Sequence, residues 1–124
     1  MEITWVCDAC AEEVGSDGHL LVRTTDQRRW QREHQAYLGR TTDTPALPGS
    51  GPGAYPFPCS WQVLHPACDR DPDDVRYSIG TGEIASLREV VRWTSHLMKK
   101  PWVGEETDWL RLLERLARNA SNAR

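Results

Sequence analysis

The chain has one phenylalanine, two methionines and only two lysines, at Lys99 and Lys100, and no apolar run in its 124 residues reaches transmembrane length. A bilayer-spanning helix needs about 20 consecutive apolar residues, so no membrane role is expected. Met1-Glu2-Ile3-Thr4-Trp5-Val6 lacks both the basic start and the apolar length of a secretory leader. The sequence therefore reads as a soluble, cytoplasmic chain whose thiols stay reduced. Catalytic signatures are missing as well. There is no Walker loop or G-x-G-x-x-G phosphate cradle, no His-x-Glu with Pro-Cys-x-x-Cys of the zinc deaminases, and no His-His or Asp-His pair of the kind HNH-type nucleases use. A non-catalytic protein is expected.

The informative residues are four potential ligands in two chelating pairs, Cys7-Asp8-Ala9-Cys10 and His65-Pro66-Ala67-Cys68. Two ligands separated by two residues can reach one metal from a single tight turn, and thiolate with imidazole is the set that tetrahedral zinc prefers. Other readings of the first pair are two ordinary buried cysteines or a redox dithiol. The redox motif belongs between a strand and a long helix, whereas Cys10 is followed by the turn-rich Ala11–Gly18. One structural Zn²⁺ held by Cys7, Cys10, His65 and Cys68 is therefore expected. Cys59, six residues before His65, is a small buried residue on this reading; as a fourth thiolate it is the alternative to His65.

Trp61-Gln62-Val63-Leu64 reads as the end of a strand over 59–64 running into His65, and Pro66 suits the first turn of a helix. With a knuckle at Cys7–Cys10 and a strand over 19–23, these parts make an α+β, treble-clef-like zinc finger: knuckle, small antiparallel sheet, and a ligand-bearing turn into a helix. The ligand order resembles the first zinc site of LIM domains, in that order alone, since residues 11–64 intervene here. Over most of the chain except 39–58, the CDAC knuckle, the segment Trp61 to Asp69 and the run Leu87 to Trp109 with Arg92-Trp93-Thr94-Ser95-His96-Leu97-Met98 resemble small zinc-finger-like proteins of actinobacteria, their phages and mobile elements. That resemblance implies zinc binding and no particular activity.

Between the ligand pairs, Asp26 is expected to cap a helix over 26–38 whose Trp30, His34, Tyr37 and Leu38 share a face, with Gly39 as its stop. Residues 40–58 carry Pro45, Pro48, Gly49, Gly51, Pro52, Gly53, Pro56 and Pro58 and are expected to form a mobile loop anchored by Tyr55 and Phe57. Beyond the site, Tyr77-Ser78-Ile79 and Glu83-Ile84 suggest a small hairpin around Gly80-Thr81-Gly82. Ser86-Leu87-Arg88-Glu89 is a capping box. It opens a helix to about Lys99 with Leu87, Val90, Val91, Thr94, Leu97 and Met98 on the buried stripe. Pro101 ends that helix, and a last helix from Thr107 or Asp108 presents Trp109, Leu110, Leu112, Leu113, Leu116 and Ala117 before a tail that frays from Asn119. The expected organisation is one zinc-stabilised domain over 1–124, with a zinc module over 1–76 and a two-helix C-terminal extension over 86–118.

The formal charge is −3, distributed unevenly. Residues 1–18 and 69–74 are acidic, while residues 23–40 hold Arg23, Arg28, Arg29, Arg32 and Arg40. Net acidity, six tryptophans and broad apolar helix faces point to another protein as partner. The alternative is a nucleic-acid-binding finger that uses Arg28, Arg29 and Arg32 on the arginine-rich helix 26–40, because a local basic face can bind phosphates on an acidic chain.

Overall fold

The computed structural model describes residues 2–39 and 53–122; residues 40–52, most of the loop expected over 40–58, lie outside that range. The chain is α+β. Strands β1 (Trp5–Val6) and β2 (Glu13–Val14) form a two-stranded antiparallel ribbon, pairing Trp5 with Val14 and Val6 with Glu13. Strand β3 (His19–Val22) is the centre of a three-stranded antiparallel sheet. It lies between β4 (Gln62–Leu64), paired Leu20 to Val63, and β5 (Tyr77–Gly80), paired Leu20 to Ile79. The expected hairpin over 77–84 does not form. Backbone groups of 77–80 pair with β3, residues 81–83 make a 3₁₀ turn, and Ile84 is buried, its carbonyl accepting from Trp5 Nε1 at 2.8 Å.

Four α-helices complete the fold among the described residues. Helix α1 (Thr24–Leu38) starts two residues before the expected cap, and the Arg23 side chain at the N-cap makes no capping bond to the helix. The capping is supplied from a distance: Asp74 accepts the Thr25 N–H at 3.1 Å and the Thr25 hydroxyl. Asp26 instead accepts from Arg29 and from the Ser60 N–H at 2.9 Å. Helix α2 (Leu87–Met98) opens on the capping box as its sequence dictates, with Ser86 Oγ accepting the Glu89 N–H and Glu89 reaching back to the Ala85 N–H. Pro101 stops α2 but also starts α3 (Pro101–Glu106), because proline at the first helical position loses no hydrogen bond. The C-terminal extension thus has three helices. The last, α4 (Trp109–Asn122), continues past Asn119, where fraying was expected.

The core is built on tryptophan. Trp5, Trp30, Trp61 and Trp109 are buried, while Trp93 and Trp102 are half-buried. Trp61 and Trp109 meet edge to face at 5.0 Å between ring centres, and their indole N–H groups donate to Thr107 and Thr94. These bonds meet the rule that a buried indole finds an acceptor. Trp30 Nε1 is the only buried side-chain polar atom without one among the described residues. Tyr55 packs edge-on against Trp30, His34 and Tyr37, whereas Phe57 stays exposed, so only the first of the two expected anchors holds. No described helix is long and apolar enough to cross a membrane.

Candidate metal centre

The ribbon β1–β2 and strand β4 together position the two ligand pairs. After β1 the chain turns tightly through the knuckle. Ala11 N–H donates to Cys7 C=O at 2.9 Å, and Ala11 itself takes the left-handed conformation, φ 63°. That reversal lets Cys7 N–H reach Glu12 C=O at 2.9 Å and closes the ribbon. Asp8, inside the knuckle, clamps it to the larger sheet: its N–H donates to Val63 C=O at 2.8 Å while its carboxylate accepts the Val63 N–H at 2.7 Å. Arg115 of α4 donates to the other Asp8 oxygen at 3.1 Å. Two residues beyond Val63, His65 therefore emerges over the knuckle. The 3₁₀ turn Pro66–Cys68 follows and brings round the last thiol.

The ligand atoms of Cys7, Cys10, His65 and Cys68 all lie within 4.8 Å of one another. Tetrahedral zinc with Zn–S of about 2.3 Å and Zn–N of about 2.05 Å requires S···N edges of roughly 3.6 Å and S···S edges of roughly 3.8 Å. Nδ1 of His65 stands 3.4 Å from Cys10 Sγ and 3.8 Å from Cys68 Sγ, which brackets the first of these. The donor set fits a zinc ion.

The imidazole is also oriented for the task. Nε2 lies 2.9 Å from Glu13 C=O, and a carbonyl only accepts, so Nε2 carries a proton; in the neutral ring the lone pair then sits on Nδ1, on the side of the sulfurs. A backbone carbonyl fixing the remote nitrogen is a recurrent support for metal-bound histidine. The same bond, with Cys7 next to the ring, raises the His65 pKa. Burial pushes the Cys7 thiol up, but hydrogen bonds from the backbone of His65, Cys10 and Ala9 outweigh it and bring it from 9.0 down to about 6. Cys68 moves the opposite way, to about 11, through burial and the neighbouring sulfurs of Cys10 and Cys7. Without a cation, one thiolate of the cluster is favoured and the crowding of a further one is resisted. A divalent ion inverts that balance.

Cys59 stands apart from this cluster. It is fully buried in an isolated parallel bridge to Thr107, its N–H on Glu106 C=O, and burial pushes its thiol up to about 12. The Cys59 alternative to His65 thus has no support in the geometry. The expected strand over 59–64 is shorter than its pattern suggested because Cys59 and Trp61 bond to Glu106–Asp108, the junction between α3 and α4, instead of β3.

Arg28, Arg29 and Arg32 lie on α1. Arg28 and Arg32 are exposed. Arg29 is half-buried and paired with Asp26 at 2.9 Å and Glu33 at 3.0 Å, and it also donates to Phe57 C=O. Burial opposes its charge, yet the two carboxylates raise its pKa above the ordinary guanidinium value. Arg23, grouped with these by sequence, is a structural clip. It donates to Gln62 Oε1, to the carbonyls of Asp71 and Asp74, and to Asp69 Oδ1 at 2.7 Å, which fastens the segment after Cys68 to the sheet. The supports at Asp8, Glu13 and Arg23 were missed in the sequence. A signal existed for one of them: a lone arginine at the end of an apolar strand facing the acid-rich run Asp69–Asp74.

No protein family, curated protein or solved structure matches the chain.

Proposed function

We propose that the protein is a zinc-stabilised, non-catalytic binding module whose partner is another protein. The observation that carries the zinc reading is the convergence of three sulfurs and His65 Nδ1, with Nε2 tied to Glu13. Four such ligands fill a tetrahedral shell and leave no position for an activated water, which favours a structural over a catalytic ion. Knuckle, ribbon and β4 support a treble-clef-like finger in which a 3₁₀ turn stands where the ligand-bearing helix was expected. The resemblance to small zinc-finger-like proteins of actinobacteria and their phages belongs to the same proposal.

Net acidity and the ion pairs of Arg29 support a protein partner. The alternative, nucleic acid bound along α1, keeps Arg28 and Arg32 but must share Arg29 with two carboxylates, and phosphate contacts set both the affinity and the salt dependence of such binding.

Two measurements test the proposal. Purified protein should carry one zinc per chain by elemental mass spectrometry, retained in Cys59→Ser and lost in Cys68→Ser; a folded, metal-free wild type refutes the zinc reading. Wild type should bind DNA and RNA weakly near physiological salt. A submicromolar, salt-dependent curve abolished by joint replacement of Arg28, Arg29 and Arg32 with alanine refutes the protein-partner reading.

A further inference from the structure

Helix α2 does not bury the face its sequence marks for burial. Val90 and Leu97 enter the core, and Thr94 donates to Val90 C=O while accepting from Trp109. Leu87, Val91 and Met98, expected on the same buried stripe, are 49%, 61% and 42% exposed. At 3.6 residues per turn these three fall within roughly 40° of one another, forming an apolar ridge along the helix. A second ridge runs beside it. Arg88, Arg92 and Lys99 each follow one of the apolar residues, so they lie about 100° further round. All three are exposed, and none forms an ion pair among the described residues. The acid of α2, Glu89, is turned back into the capping box. An acidic protein thus presents one face where an apolar ridge and a basic ridge without ion pairs run in parallel, with Glu83 and Glu89 sharing a cavity with Arg92.

We propose that this face of α2 binds an acidic amphipathic helix of a partner protein. The partner's apolar residues cover Leu87, Val91 and Met98, and its carboxylates meet Arg88, Arg92 and Lys99. The inference rests on the protein-partner reading above and names the surface and the chemistry of the partner. Two helices pack through apolar residues spaced by four and seven in this way, as in a coiled-coil seam, and flanking charges select the partner. Other occupants fit less well. Nucleic acid would use the basic ridge and leave the apolar one exposed. A membrane surface calls for a large apolar face of Trp, Phe and Leu backed by a strongly basic polar face, and this ridge offers one leucine with a valine and a methionine over three turns. A second copy docked antiparallel through the same face would set basic flank against basic flank.

The test uses the zinc-loaded full chain and two synthetic, helix-stabilised peptides with leucines at the matching spacing, one flanked by glutamates and the other by lysines. Fluorescence anisotropy near physiological salt should show the acidic peptide binding at least about tenfold more tightly than the basic one. Val91→Glu should lose that affinity about tenfold or more, with Val91→Ser as a milder variant, and both should keep their zinc because Val91 is exposed. Arg88→Glu, Arg92→Glu and Lys99→Glu together should reverse the preference between the peptides. Equal affinity for both peptides, or dissociation constants above about 1 mM for both, overturns the proposal. So does binding to phosphatidylserine-containing vesicles or self-association in sedimentation, if either is abolished by Val91→Glu. Photo-crosslinkers at Val91 and at Arg28 separate this proposal from the reading beneath it: a protein captured from Arg28 but never from Val91 overturns the α2 face alone. Submicromolar DNA binding that requires Arg28 and Arg32 overturns the protein-partner reading itself.

Discussion

Arg23 offers the sharpest test of how the second ligand pair is held. Its guanidinium makes four hydrogen bonds, and in its pair with Asp69 the two side chains are only 16% and 10% exposed. Exposed pairs are worth about 0–1 kcal/mol, whereas removing one partner of a buried pair costs about 3–5 kcal/mol because it strands the other charge. With exposures this low, Arg23→Ala should cost on the order of 3 kcal/mol, a fall in melting temperature of about 12 °C for a chain of this size. Asp69→Asn keeps an acceptor for Arg23 and should cost only about 1 kcal/mol. The variants should couple by about 2 kcal/mol in a double-mutant cycle followed by tryptophan fluorescence in urea. Asp69 directly follows Cys68, so loosening it should also weaken zinc retention against a chromophoric chelator by about tenfold.

The pH dependence has a definite sign. Asp69 is held below the ordinary carboxylate range, first by the Arg23 hydrogen bond. A lowered carboxylate contributes stability that is fully present above its unfolded pKa and is lost only as pH falls through the folded value. The gap between wild type and Asp69→Asn should therefore stay constant from pH 7 to pH 5. An Arg23→Ala variant within about 0.5 kcal/mol of wild type, or a gap that closes between pH 7 and pH 5, would refute the reasoning.

Asp74→Ala removes the distant cap of α1 and should cost about 1 kcal/mol at pH 7; an unchanged urea midpoint would show that the Thr25 contacts contribute nothing. Ala11 pays for a left-handed backbone, so Ala11→Gly should raise stability by up to about 1 kcal/mol while Ala11→Val lowers it by more than that, read from thermal melts of the zinc-loaded protein. For the zinc-loaded chain, nitrogen NMR should find the His65 proton on Nε2 and the metal on Nδ1, and the reverse tautomer would contradict the role given to Glu13.

The features legible in the sequence were those written within a few residues of one another. Both ligand pairs and the Ser86–Glu89 capping box are short-range patterns whose geometry leaves little choice, and each stands where its spacing put it. Pairings between distant segments left no local trace. Nothing in Tyr77–Gly80 announces β3 as its partner in place of Glu83-Ile84. Likewise nothing in Asp74 announces that it caps a helix fifty residues earlier. The helical periodicity of α2 identified apolar positions correctly but could not say which of them meet the core, because an apolar stripe is the same pattern whether the protein or a partner covers it. Arg23 was misread for a related reason: its charge was counted with its sequence neighbours, while its partners come from residues 62–74.

The separation of the two ligand pairs along the chain has a consequence in time. Cys10 and His65 are 55 positions apart, and a ribosome adding about 5–20 residues per second needs roughly 3–11 s to cover that stretch. Throughout that interval an ion held by Cys7 and Cys10 would have only two of the four cluster ligands, with water or another donor in its other positions. On the zinc reading proposed above, the tight four-ligand shell exists only once His65 and Cys68 have been made, so the selective site belongs to the later half of the chain and not to the knuckle that is made first.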